Sequence, residues 1–109
     1  MAYDESLAGR VREAFARRRG ADEKKMFGGV GFLLDGSMCI GVWKQFLIAR
    51  VGPTGYEAAL ERPFVKEFDI TGRPMKGWVM VEADGVNEDD ELLEWIDLAV
   101  KFVRSLPKT

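Results

Sequence analysis

With 109 residues, 47% of them hydrophobic and 31% charged, the chain has the size and balance of one ordinary globular domain, expected over residues 1–109. A formal charge of −2, one cysteine and no histidine exclude a uniformly basic polyanion binder, an internal disulfide, a Ser-His-Asp or Cys-His catalytic site and a His-ligated zinc. The lone Cys39 suits a reducing compartment. The acidic Met1–Glu5 leads into an Arg-rich segment, not the apolar core of a signal sequence, and no apolar run nears the ~20 residues of a membrane span. A soluble, unprocessed, cytoplasmic protein is expected.

Leu7, Val11, Ala14 and Phe15 recur at helical spacing, which predicts a helix from Asp4, its N-cap, to Arg19, stopped by Gly20. The period then changes from Lys24 to Val51. Val30–Leu34 and Met38–Trp43 are strand-like runs joined by Asp35-Gly36, a dipeptide suited to a two-residue hairpin turn. A second turn at Lys44-Gln45 leads into a third strand, Phe46–Val51. Glycines 28, 29, 31 and 41 are many for a strand region and predict a bulge or the close approach of another backbone.

Gly52-Pro53 ends this meander. Thr54 to Glu57 has the spacing of a capping box and opens a short helix, closed before Pro63. Phe64–Ile70 and Trp78–Ala83 read as two further strands joined by the loop Thr71–Gly77. Asn87 is read as the cap of a last helix whose first turn carries Glu88 to Glu91, complementing the positive end of the helix dipole. Its apolar stripe is Leu92, Trp95, Ile96, Ala99, Phe102, Val103 and Leu106, and Pro107 ends it. The order α-β-β-β-α-β-β-α predicts an α+β fold: two layers, a five-stranded antiparallel sheet with helices on one face.

Four words in this order carry a resemblance: Glu23–Gly29 (EKKMFGG), Met38–Val42 (MCIGV), Arg50–Pro53 (RVGP) and Thr71–Gly77 (TGRPMKG). Together with the opening Met1–Glu5 and closing Ser105–Pro107, the chain resembles the N-terminal domain of the TfoX/Sxy family of bacterial competence regulators, in its stand-alone form. The resemblance covers essentially the whole sequence. It implies a secretion-chaperone-like fold with a five-stranded antiparallel sheet and a bacterial, cytoplasmic setting. Two-domain regulators of the family carry a further C-terminal domain with no counterpart in these residues. The family supplies no catalytic residues to carry over.

No catalytic residues, metal ligands or cofactor are therefore expected. The expected contact residues are Arg50, Trp43 and the loop residues Arg73, Pro74, Met75 and Lys76. In that loop two cations flank a stiff proline and could meet an acidic partner, although turn geometry alone also accounts for it. Trp43 stands at a strand end beside a turn. The run Arg17–Arg19, with Arg10, Arg12, Lys24 and Lys25, is basic, but interleaved acids point to a solvated helix end over a nucleic-acid patch. Cys39 reads as a small buried hydrophobe, Trp95 as core, and Glu88–Glu91 as a helix start, lacking the alternation of a calcium loop.

With all helices on one side, the other strand face carries Met, Trp and Phe that need polar cover or a partner. The main reading is a non-catalytic module that contacts a protein or a second copy of itself, as a homodimer. A small-molecule site or enzyme built on Arg50, Arg73, Lys76 and Tyr56, between the sheet and the second helix, is the alternative. A nucleic-acid binder using Arg17–Arg19 is the third.

Overall fold

The computed structural model describes residues 3–26, 28–68 and 76–106. The chain runs α1 (Glu5–Phe15), β1 (Ala21–Met26), β2 (Gly29–Leu34), β3 (Ser37–Trp43), β4 (Phe46–Arg50), α2 (Gly52–Leu60), β5 (Val65–Glu67), β6 (Trp78–Val81), a 3₁₀ turn (Ala83–Gly85) and α3 (Asp89–Arg104). All strand pairs are antiparallel, in the spatial order β1-β2-β3-β4-β6-β5. Among the described residues the sheet thus has six strands, one more than the five expected.

The additional strand is β1. Its sequence, Ala-Asp-Glu-Lys-Lys-Met, places charge on both faces, so it lacks the apolar alternation by which a strand is recognised. It is an edge strand, where charge is tolerated and discourages further pairing. Its partner β2 is buried along its whole length, and Met26 pairs with Gly29 across a tight connection in which Gly28 has φ +77°.

The hairpin turns follow from the sequence. Asp35 and Gly36 have φ of +50° and +85°, the double positive φ of a type I′ turn. Between β2 and β3 the register shifts: Phe32 pairs with Ile40 but Leu33 with Met38. Cys39 is the extra residue of this bulge, and it enters the core beside Ile40.

Helix boundaries depart from expectation in three places. α1 ends at Phe15, with Ala16 as C-cap, so Arg17–Arg19 lie beyond it; at its start the Asp4 carboxylate accepts from the Leu7 N–H as expected. α2 begins at Gly52, two residues before the predicted capping box, with Pro53 in its first turn and no side-chain cap. A proline in the first turn costs no hydrogen bond and presets helical φ, which outweighs the Thr54 signal. α3 is capped by Glu88, not Asn87, in a reciprocal capping box with Glu91. β5 covers three residues of the predicted Phe64–Ile70, and Ile70 lies outside the described residues.

One core joins the layers. From the sheet it takes Val30, Phe32, Leu34, Ile40, Val42, Leu47, Ala49, Val79 and Val81, and from the helices Leu7, Val11, Phe15, Tyr56, Ala59, Leu92, Trp95, Ile96, Ala99 and Val103. All three helices therefore pack on the same face of the sheet, as expected. Trp95 is 1% exposed, and the Arg62 guanidinium lies 4.3 Å from its ring centre. No helix among the described residues is long and apolar enough to cross a membrane.

Candidate interaction surface

Paired residues of an antiparallel sheet point to the same face, so the register defines what lies opposite the helices. One row crosses all six strands: Lys24, Gly31, Gly41, Ile48, Met80 and Lys66. A flanking row contains Asp22, Leu33 and Met38 on one side and Arg50 with Trp78 on the other, and a further pair is Trp43 with Phe46. None of the described helices covers this face. Leu33, Ile48 and Met80 are nevertheless buried, under a second layer of half-buried Met38, Trp43, Phe46 and Trp78.

That layer is aromatic and cationic. Trp43 stacks on Phe46 with centroids 6.2 Å apart. The Lys44 ammonium lies 4.6 Å from the Trp43 ring centre, and that of Lys66 lies 4.7 Å from Phe46. Phe68, just beyond β5, meets Trp78 at 6.1 Å. Such cation–ring contacts are individually worth about 0.5–1 kcal/mol when exposed. Their larger effect is to arrange positive charge over apolar surface. The face carries Lys24, Lys44, Arg50 and Lys66 against Asp22 and Glu82, and Glu82 sits 3.9 Å from Lys66.

The candidate residues divide accordingly. Trp43 and Arg50 share this face but lie far apart: Trp43, on β3, pairs with Phe46 at the start of β4, and Arg50 ends β4 four residue steps later, about 13 Å away. Arg50 is engaged internally. Its guanidinium lies 5.3 Å from the Trp78 ring and 5.5 Å from Phe102, and it donates to the Met38 carbonyl at 3.3 Å. Lys76 is exposed in the turn before β6. Arg73, Pro74 and Met75 lie outside the described residues. Sequence reasoning missed Phe46, Lys66 and Trp78 as members of the surface; only the strand register assembles them.

The basic cluster does not form one patch. Arg12 makes a bidentate pair with Glu23 at 2.8 Å for each bond, and this bond holds the Glu23 carboxyl below its ordinary range. Arg10 pairs with Asp89 and Arg18 with Asp97, both on α3. Lys24 and Lys25 point to opposite faces of β1.

Tyr56 belongs to the core. Its hydroxyl donates to Glu67 at 3.1 Å, and burial, then the carboxylate, pushes its pKa up. Cys39 is fully buried, and burial pushes its thiol up to about 12, which makes it inert at neutral pH. Three grooves bounded by described residues lie on the outer side of α3, between α1 and α3, and between α1 and the β1-β2 edge. Arg50, Tyr56 and Lys76 line none of them.

Two of the four words meet in space. The Gly77 carbonyl accepts from both the Val51 and Gly52 N–H groups, at 2.8 and 3.0 Å, tying Arg50–Pro53 to the end of Thr71–Gly77. The family model for the TfoX N-terminal domain matches residues 13–103. The chain belongs to the TfoX N-terminal domain family. No curated protein and no solved structure matched it. Within these two words Gly52 and Gly77 both have positive φ, and the two residues are in contact.

Proposed function

We propose that this TfoX N-terminal domain is a non-catalytic protein-interaction module of the kind used by competence and transcription regulators, acting in the bacterial cytoplasm. Its contact surface is the face of the sheet opposite the helices. The observation that carries this reading is the layer of Trp43, Phe46, Trp78 and Met38 edged by Lys44 and Lys66: aromatic and Met side chains are enriched in interface cores, and cations at the rim steer an acidic partner. The partner it fits is a protein segment with apolar side chains flanked by carboxylates. A helix bearing such a stripe would complete a third layer on the sheet, as helices already do on the opposite face.

Among the described residues, the groups whose protonation shifts are Arg12, Glu23, Cys39 and Tyr56. Each is explained by an ion pair, a hydrogen bond or burial; Arg73, a member of the alternative site with Arg50, Lys76 and Tyr56, lies outside the described residues. The test is amide chemical-shift mapping with a designed helical peptide carrying leucines on one stripe and glutamates along its flanks. Shifts centred on Trp43, Lys44, Phe46, Lys66 and Trp78 are expected, weakening as salt rises. Absence of binding at millimolar peptide, or shifts confined to the helix layer, would overturn the reading. Salt-sensitive binding of a single-stranded oligonucleotide to the same face would replace it with the nucleic-acid reading.

A further inference from the structure

Only three large hydrophobic side chains among the described residues are strongly exposed, and two of them, Leu93 and Leu98, each 41% exposed, sit on the outside of α3. The helix needs neither for its own core. Leu92, Trp95, Ile96, Ala99, Val100 and Val103 already supply a complete buried stripe. Leu93 and Leu98 bracket the outer stripe, between them lie Asp90, Glu94, Asp97 and Lys101, and together the six line a shallow groove of about 390 Å³.

Arg62 pairs with Glu94, and Arg18 with Asp97, yet those carboxylates keep 57% and 67% of their side-chain surface exposed. The lining therefore presents leucines beside three carboxylates and one lysine, with Arg62 and Arg18 held against two of the carboxylates from outside the groove. This is the complement of the sheet face, where aromatic rings lie beneath lysines and cations outnumber acids four to two.

We infer that the outer face of α3 in one copy of this chain docks onto the helix-free sheet face of a second copy. The contact is heterologous, because the two surfaces lie on opposite sides of the molecule. Dimensions agree: α3 has 16 residues, about 24 Å of helix, and five strand spacings of ~4.8 Å make the sheet about 24 Å wide. Leu93 and Leu98 then meet Trp43, Phe46 and Trp78, while Asp90 and Glu94 approach Lys44 and Lys66. Face-to-face pairing of two sheets is disfavoured by the same charges, since lysine would oppose lysine.

A helix face about 24 Å by 10 Å covers roughly 240 Å², well below the ~800 Å² per partner of a standard interface. Association is accordingly weak, as for the smallest transient contacts. It is also open-ended, since each bound copy still offers one free surface of each kind.

The inference rests on the proposed role of the sheet face, and the experiment separates the two. Light scattering of the full chain from about 10 µM to 1 mM should show a mass that climbs past the dimer without a plateau and falls back at high salt. Leu93→Lys/Leu98→Lys blocks one surface and Lys44→Glu/Lys66→Glu the other; all four positions are exposed, and circular dichroism checks that both variants fold. Each variant alone should be monomeric, while their equimolar mixture should form a dimer and nothing larger, because one intact surface of each kind remains. A monomeric wild type overturns the inference, as does a dimer that persists in either variant. If the wild type stays monomeric but the acidic peptide binds the sheet face, only the self-docking fails. If neither occurs, both readings fall.

Discussion

Gly52→Ala should be among the more damaging single-methyl additions the chain can receive. Gly52 has φ +83°, and a Cβ built on it would sit 2.5 Å from Phe102 Cε1 and 2.9 Å from Cγ. The left-handed conformation costs an L-residue about 1–2 kcal/mol, and forcing the Phe102 ring aside adds about 1–3 kcal/mol of overpacking. The expected loss is about 2–5 kcal/mol, a melting temperature lower by roughly 8–20 °C for a domain of this size. Gly36→Ala is the control, because Gly36 has φ +85° and open space around its Cβ, so only the first cost applies. Urea unfolding of both variants, with Phe102→Ala and the Gly52→Ala/Phe102→Ala double, closes the argument. The double should be about 1–3 kcal/mol less destabilised than the sum of its singles. If Gly52→Ala costs no more than Gly36→Ala, or the cycle is additive, the steric account is wrong.

Cys39 should resist iodoacetamide at pH 8 in the folded protein and react only at the rate of unfolding; its raised pKa adds stability that is complete below about pH 8.5 and is lost as pH climbs toward 12. Rapid alkylation under native conditions would contradict its burial. Tyr56→Phe removes the bond to Glu67 and should cost about 0.5–1.5 kcal/mol. Because the folded pKa of Tyr56 is raised, its contribution is full below about pH 10 and fades above it, so the variant should show a shallower alkaline loss in a pH series of urea midpoints. Glu23→Gln should cost about 0.5 kcal/mol, since both members of the Arg12 pair are partly exposed. Its lowered pKa adds stability above about pH 4.3 that disappears as pH falls through the folded value, so wild type and variant should converge in acid; a constant difference down to pH 2 would refute this.

Local chemistry explains which elements were readable. The hairpin at Asp35-Gly36 is fixed by two residues that tolerate positive φ, and α3 announces itself by its acidic first turn and long apolar stripe. β1 was not readable, because every side chain from Asp22 to Lys25 is charged and its strand state depends on the edge of β2 being present to pair with it. The start of α2 was misread for a related reason: the Thr54 signal is local, whereas the earlier start is set by Pro53 in the first turn and by the Gly77 carbonyl holding the Val51 and Gly52 N–H groups from across the chain.

The surface divides the same way. Trp43 could be singled out from its place beside a turn, but Phe46, Lys66 and Trp78 come from three strands, and only the register unites them. Composition excluded histidine and disulfide chemistry, periodicity placed most of the strands and the principal helices, and four short words placed the chain in its family. Tertiary structure alone decided that Arg10, Arg12 and Arg18 are spent on ion pairs, that Arg50 lies between two rings, and that cationic aromatic and acidic leucine surfaces occupy opposite sides. Residue types and spacings are properties of a line, whereas a neighbour's charge, a shared sheet face and a filled space above a glycine exist only once distant segments have been brought together.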